Sequence, residues 1–326
     1  VNGYCSPKDF ETMMQLTYLT FTAPRRDDEA FASYKNRNKA ALLNQEMNPN
    51  VAFSDSITFA LQMGHPRTIR MKADMIDNMD YNKILAMYQD RYKDASDFTF
   101  ILVGNVDVES MKPLIAEYLG ALPAINRKES FKDNKIEYRK GVYKNEFVRE
   151  QETAKASNFV SFIGTCKYDL KNSILQDMTC QIMDLVYTEK VREDEGGTYG
   201  VYVGGNLSKY PNEIAGIQIV FDTAPSKREK LMKIIFAEIE RISKEGPSEA
   251  NLNKVKKFML KKHAEDLKEN SYWMESIDEY LFTGMNPIKN YEQTVNSITA
   301  KDIQKFADDL FKQKNEVEVS MISPDK

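Results

Sequence analysis

The chain has 326 residues, of which 42% are hydrophobic and 29% charged, with a formal net charge of -4. That length exceeds what one hydrophobic core serves, so two domains are expected, and the composition excludes extensive disorder. Lys and Arg are spread along the chain without a basic patch, which argues against nucleic acid as a partner, and no apolar run approaches the ~20 residues of a membrane span.

The opening Val1-Asn2-Gly3-Tyr4-Cys5 has no basic start and no apolar stretch, so it does not read as a signal peptide. The compartment stays open between cytoplasm and periplasm for a soluble protein. Ser6-Pro7-x-Asp9 then supplies an N-cap serine, a proline at the first helical position and an acid in the first turn, which predicts a helix to about Phe21. Further helices are predicted over about Asp28–Met47 and Val51–Gln62, and one capped by Asp80 that ends near Tyr92. Phe98–Gly104 alternates and is β-rich, which predicts a strand, followed by a helix from about Val108 to Leu119. Residues 121–146 are polar and helix-poor and predict a linker with an extended stretch.

Beyond it come a strand over Asn158–Gly164 and a helix from about Leu170 to Arg192, with Ile174, Met178, Ile182 and Leu185 on one face. Two strands follow, at about Thr198–Gly204 and Ile214–Asp222. Helices are predicted at Pro225–Lys244, at Ser248–Glu269 with Ser248 as cap, near Tyr272–Phe282, and at Ala300–Phe311 behind a Thr299/Asp302 capping box. A last strand covers Glu316–Ile322. Strands in pairs and helices in runs predict an α+β fold, a mainly antiparallel sheet with helices on one face.

The chain also repeats itself. Phe53-Ser54-Asp55-Ser56-Ile57 falls on Trp273-Met274-Glu275-Ser276-Ile277 at an offset of 220, and Leu61 and Gly64 fall on Leu281 and Gly284. After one residue of slip, Ile76, Met79, Ile84, Met87, Asp90 and Tyr92 fall on Val295, Ile298, Ile303, Phe306, Asp309 and Phe311 at an offset of 219. Phe98-Thr99-Phe100-Ile101 then falls on Val317-Glu318-Val319-Ser320. A register kept through helix, turn and strand predicts two similar domains. The second copy, from about residue 147, opens with residues that have no counterpart at the front. The expected layout is therefore an incomplete first domain at 1–122, truncated at its N-terminus, a linker at 123–146, and a complete second domain at 147–326.

The segment richest in chemistry is Val191-Arg192-Glu193-Asp194-Glu195-Gly196-Gly197-Thr198-Tyr199-Gly200-Val201. A helix ends in Arg192, an acidic glycine-containing loop turns the chain, and Tyr199 opens a strand. Guanidinium and phenol are both donors, suited to a peptide carbonyl or a developing oxyanion. The plain alternative is a cation at a helix C-terminus, complementing the helix dipole, beside a half-buried strand aromatic. A phosphate cradle is disfavoured, because the loop is acidic and lacks the G-x-x-x-x-G-K-[ST] pattern.

Here the chain resembles the pitrilysin/insulinase family of zinc metallopeptidases. The Arg-six-Tyr spacing in "VREDEGGTYGVYV", the duplication near 220 residues, and "DASDFTFILVGNVD" at 94–107 carry the resemblance over nearly the whole chain. It implies a fold like that of mitochondrial processing peptidase, with four similar domains forming two halves of a chamber. Zinc is held in the family by an inverted H-x-x-E-H motif and a distal Glu, and a late domain supplies the Arg/Tyr pair. Carried over, Arg192 and Tyr199 bind peptide substrate, and Tyr199 donates to the substrate carbonyl as it gains charge.

The departure from the family is decisive. The two histidines, His65 and His263, lie in no H-x-x-E-H. The expectation is thus the C-terminal part of a zinc endopeptidase. It has no metal ligand of its own, is inactive alone, and is partnered by an N-terminal half that holds zinc. The alternatives are an inactive family member acting as scaffold or peptide-binding subunit, and an unrelated α+β interaction protein. His263 with Asp266 makes at most two ligands. Glu46 sits where a catalytic copy could place its distal Glu. The three cysteines, Cys5, Cys166 and Cys180, are widely spaced and read as small apolar residues.

Overall fold

The computed structural model describes residues 1–195 and 200–324, and for 191–195 the helical backbone only. The chain packs as two compact units, one of Val1–Gln45 with Met71–Lys132 and one of Glu46–Arg70 with Asp133–Lys326.

The first unit is helical. A single 3-10 turn at Pro7–Asp9 leads into α1 (Phe10–Thr22), followed by α2 (Asp28–Gln45). Helix α3 (Pro49–Gln62) belongs to the second unit, and the first resumes with α4 (Ala73–Asp77), α5 (Tyr81–Tyr92) and α6 (Val108–Tyr118). Asp80 caps α5 as its sequence position demands, accepting from the backbone N–H of Asn82 at 2.9 Å and of Lys83 at 3.2 Å. Buried Asp94 is the polar hub. It accepts from the Ser96 hydroxyl at 2.6 Å and from the N–H groups of Ser96, Ile125 and Arg127. Those donors, the Ser96 hydroxyl first, hold its carboxyl well below the usual carboxylate range.

One expectation is corrected in this unit. Residues 98–104 form no ladder, because no second strand lies in the unit among the described residues to take their backbone groups. Aromatic packing holds the segment instead: Phe98 lies edge-on to Phe21, with ring centroids 4.9 Å apart, and tilted against Tyr92.

The second unit is built on one five-stranded sheet of β1 (Val142–Val148), β2 (Ala156–Thr165), β3 (Val201–Ser208), β4 (Ile214–Thr223) and β5 (Glu316–Ile322). Their spatial order is β1-β5-β2-β4-β3, antiparallel throughout except for the parallel β1–β5 pair. The fold is therefore α+β with a mainly antiparallel sheet. Its helices are α7 (Leu170–Glu195), α8 (Arg228–Glu245), α9 (Glu249–Asp266), α10 (Asn270–Thr283), α11 (Tyr291–Ser297) and α12 (Ala300–Phe311). The Thr299/Asp302 capping box opens α12, and Ser248 caps α9.

Alternation along the strands divides the core. Val160 and Phe162 of β2, with Ile217, Ile219 and Phe221 of β4, face α7, α8 and α12. Phe159 of β2, with Val317, Val319 and Met321 of β5, faces the other way and is covered by Phe53 and Ala60 of α3. That apolar second face draws Glu46–Arg70 into the second unit. The C-terminal carbonyls of α3 are satisfied from the segment before β1: Arg139 donates its backbone N–H to Leu61 O at 2.8 Å and its Nε to Ala60 O at 2.6 Å.

The sequence repeat is carried by the element boundaries. At the 219 offset α5 and α12 coincide end to end, and α4 falls on α11. At the 220 offset α1, α2 and α3 overlie α8, α9 and α10. The short helices α4 and α11 were not anticipated, since each is too brief to show a period.

The β1–β5 edge carries a pair of acids on the helix side. Glu316 and Glu318 are two residues apart on β5, and Lys144 of β1 pairs with Glu318 at 2.6 Å while lying over the Phe236 ring of α8. Burial first, and then the neighbouring Glu318, raises the Glu316 carboxyl from 4.5 to about 7, against the opposing pull of Lys144. A raised acid favours the folded state while protonated, so this contribution is lost as pH rises from 4.5 through about 7. Glu316→Gln is expected to raise the thermal midpoint by a few degrees at about pH 8 and to change it little at about pH 4, flattening the profile between. Thermal unfolding followed by circular dichroism at both pH values checks this, and equal shifts at the two would refute it.

Candidate functional site

The site begins with what fixes the end of α7 and the start of β3. Tyr187 is fully buried and donates its hydroxyl to Ile235 O at 3.0 Å, locking α7 to α8. One turn on, Lys190 reaches Glu238 of α8 at 2.6 Å. Glu238 is fully buried and is also gripped by Arg241, whose guanidinium donates to both carboxylate oxygens. Burial pushes the Glu238 carboxyl up, but the two cations outweigh it and the net shift is downward.

On the strand side, β3 is the sheet edge, paired with β4 from Val201↔Phe221 to Ser208↔Ile214. The Val203 N–H turns away from β4 and donates to Asp184 Oδ1 of α7 at 3.2 Å. Asp184 thus blunts the edge as it ties strand to helix. Between them lies a cavity of about 380 Å³, walled by Leu185, Tyr202, Val255 and Phe258 with Asp184 and Lys254 at its rim. Among the described residues the strand runs from Val201 to Ser208, past the expected end at Gly204, while the expected start at Thr198 lies outside them.

These two anchors flank residues 193–199 in the sequence. Tyr199 and the Arg192 side chain, the residues singled out by sequence, lie outside the described residues. What the structure describes is their frame: a 26-residue helix delivering the chain to an edge strand. Asp184, Lys190 and Glu238 escaped sequence reasoning, because their partners lie 19 to 48 residues away in the chain.

The other candidates have local partners. His65 sits in the turn after α3. Its Nδ1 accepts from Arg67 N–H at 3.2 Å, and its Nε2 lies 3.1 Å from Asn134 O. His263 is buried, stacked on Tyr291, with Nδ1 2.9 Å from the Tyr272 hydroxyl. Asp266 pairs with Lys262, and Glu46 pairs with Arg70 at 2.9 Å. The cysteines are free among the described residues, and burial pushes the thiols of Cys166 and Cys180 up to about 11 and about 12. A catalytic zinc needs three protein donors around one point. Among the described residues no group of three or more His, Cys, Asp or Glu is so placed, so they do not fit that ion. No helix among them is long and apolar enough to cross a membrane.

Comparison with known proteins adds three findings. Residues 78–259, more than half of the chain, match the family described as the peptidase M16 inactive domain. The chain is 25% identical over 289 residues to a zinc protease PQQL-like protein of Arabidopsis thaliana, covering 82% of this chain and 30% of that protein. The chain therefore spans under a third of that relative's length. Among solved structures, the periplasmic protease PqqL of Escherichia coli superposes with a TM-score of 0.82 at 16% identity, over 97% of this chain and 35% of PqqL. The first half of the same protease superposes with a TM-score of 0.77 at 14% identity, over 97% and 71%. At these identities the likeness establishes the fold.

The Lys190–Glu238–Arg241 cluster should be the main support of the loop's helical side. Glu238→Ala removes the shared carboxylate and strands two cations. The expected cost is about 2 kcal/mol, below the 3–5 of a fully buried pair because Lys190 and Arg241 still reach water. As the Glu238 carboxyl is depressed, its contribution holds above the ordinary value of 4.5 and fades as pH falls through the folded value. Urea unfolding at neutral pH measures the cost; an unchanged midpoint would show the cluster to be ornamental to stability.

Proposed function

The chain belongs to the family of M16 peptidase inactive domains, and on that premise we propose that it is the non-metal-binding, C-terminal part of a zinc-dependent endopeptidase, closing the substrate chamber and contacting the peptide. The observation that carries the reading is the Arg192-to-Tyr199 spacing at the junction of a long anchored helix and an edge strand. Its domain frame is an incomplete repeat at 1–122, a connecting segment at 123–146, and a repeat at 147–326 that carries the loop.

In this reading Arg192 binds the peptide beside the scissile bond, and the Tyr199 hydroxyl donates to the carbonyl oxygen, a bond that strengthens as negative charge develops there. Zinc, held by a domain of the N-terminal half, supplies the activated water. The partners are that half and the peptide. The zinc protease name of the Arabidopsis relative supports the reaction class.

In the full-length natural polypeptide, Tyr199→Phe should lower kcat about 10²–10³-fold, the usual effect of losing one oxyanion donor, with zinc content unchanged. Metal analysis and peptide cleavage, run side by side on the 326-residue chain and on that polypeptide, complete the test. Zinc and cleavage in the longer polypeptide alone are expected. Zinc bound stoichiometrically by this chain, or full activity in the Phe variant, would overturn the assignment. Absence of zinc from both would turn the reading to an inactive scaffold or peptide-binding subunit.

A further inference from the structure

Helix α10 repeats α3, but the two meet opposite fates. The 220 offset carries Phe53, Ile57, Ala60 and Leu61 onto Trp273, Ile277, Tyr280 and Leu281. It also carries Gly64 onto Gly284, and both glycines take a positive φ behind their helices, at 70° and 80°. On α3 these four positions face the sheet. Phe53 and Ala60 are 9% and 0% exposed against Phe159, Val317, Val319 and Met321, with Ile57 and Leu61 packed beside them.

On α10 three of these positions are exposed, and the fourth, Ile277, is half-buried. Trp273 is 39% exposed, Tyr280 52% and Leu281 54%, and Met274 and Phe282 extend the stripe. The opposite side of the helix is already spoken for. Tyr272 holds His263, and Ser276 and Thr283 are buried; on the open side Trp273 donates its indole N–H to Leu267 O at 2.9 Å. The helix is thus anchored while its apolar stripe is open. A contiguous stripe of that kind on a soluble surface marks an interaction site.

We propose that the Trp273–Ile277–Tyr280–Leu281 stripe docks on the outer face of a β-sheet supplied by polypeptide outside this chain, as α3 covers β5 and β2. The chemistry of the occupant follows from the seat of α3. Neighbouring strands present uncharged apolar side chains at alternate positions, so that the helix lies across a continuous face. Trp and Tyr on α10 replace Phe and Ala on α3, so the helix side is bulkier. The facing strands therefore carry smaller residues than Phe159 and Met321, of the Val, Ala or Thr class, to keep native packing density. The Tyr280 hydroxyl sits at the rim, where it keeps a polar partner. Proteins of the family have chain to spare for such a sheet, since this one spans 30% of the Arabidopsis relative and 35% of PqqL. The inference stands on the repeat and does not depend on Arg192 or Tyr199 touching substrate.

Trp273 is the only tryptophan of the chain, so it reports on its own surface. In the 326-residue chain its fluorescence should be that of a wet indole, readily quenched by acrylamide and independent of protein concentration. In the full-length natural polypeptide, with any other tryptophans replaced by Phe, emission should shift to the blue and the quenching constant should fall several-fold. Leu281→Asp and, separately, Tyr280→Asp should restore quenching while circular dichroism stays unchanged. Equal quenching in both proteins would overturn the proposal. So would quenching that falls as the 326-residue chain alone is concentrated, which would make a second copy the occupant. The readout is independent of zinc and cleavage, so its failure and a failure of the peptidase reading are separable.

Discussion

The outer face of β2 and β5 cannot be left to water. Phe159, Val317, Val319 and Met321 all point away from α7, α8 and α12, and together they form an apolar surface on a sheet whose other face is already packed. Burying that surface at about 25 cal/mol per Å² is what makes α3 part of the second unit, although sequence order places it among the helices of the first. The rest follows from that choice. Arg139 closes the end of α3, and Asn145 of β1 reaches Ser56 on it at 3.2 Å. The segment between the units is thereby drawn into the sheet as β1, the strand that runs parallel to β5.

The frame of the candidate site is a separate consequence of the same sheet. β3 is an edge of that sheet, and α7 precedes it in the chain. Asp184 ties β3 to α7, and Tyr187 and the Lys190–Glu238 pair tie α7 to α8, so the scaffold on this side takes its stability from buried helix and strand.

Local signals were legible in the sequence where a side chain acts on its own backbone. Asp80, Ser248 and Thr299 cap the helices they precede, because capping needs only a short polar side chain at one position. The repeat was legible because a nearly constant register runs from Phe53 to Ile101. Non-local outcomes were not legible. Phe98–Gly104 has the composition of a strand, but a strand exists only with a partner, and composition does not say whether one is present. The move of α3 to the second unit, and the anchoring of the loop by Glu238, depend on partners far along the chain. The Arg192 and Tyr199 spacing was read from sequence alone.

Repeat-related positions show how far a shared pattern goes. Ile84 and Ile303 occupy one position of the repeat, Met87 and Phe306 another, in helices of identical length. Ile303 and Phe306 are 0% and 7% exposed, whereas Ile84 and Met87 are 42% and 65% exposed. Helix formation has the same causes in both copies: a cap at the same place and the same spacing of apolar residues. Burial does not, because it is conferred by what lies opposite. In the second unit α7 and β2 lie against α12, and among the described residues the first unit has no counterpart of either. An apolar position in one copy can thus be read only together with the surface that its twin meets in the other.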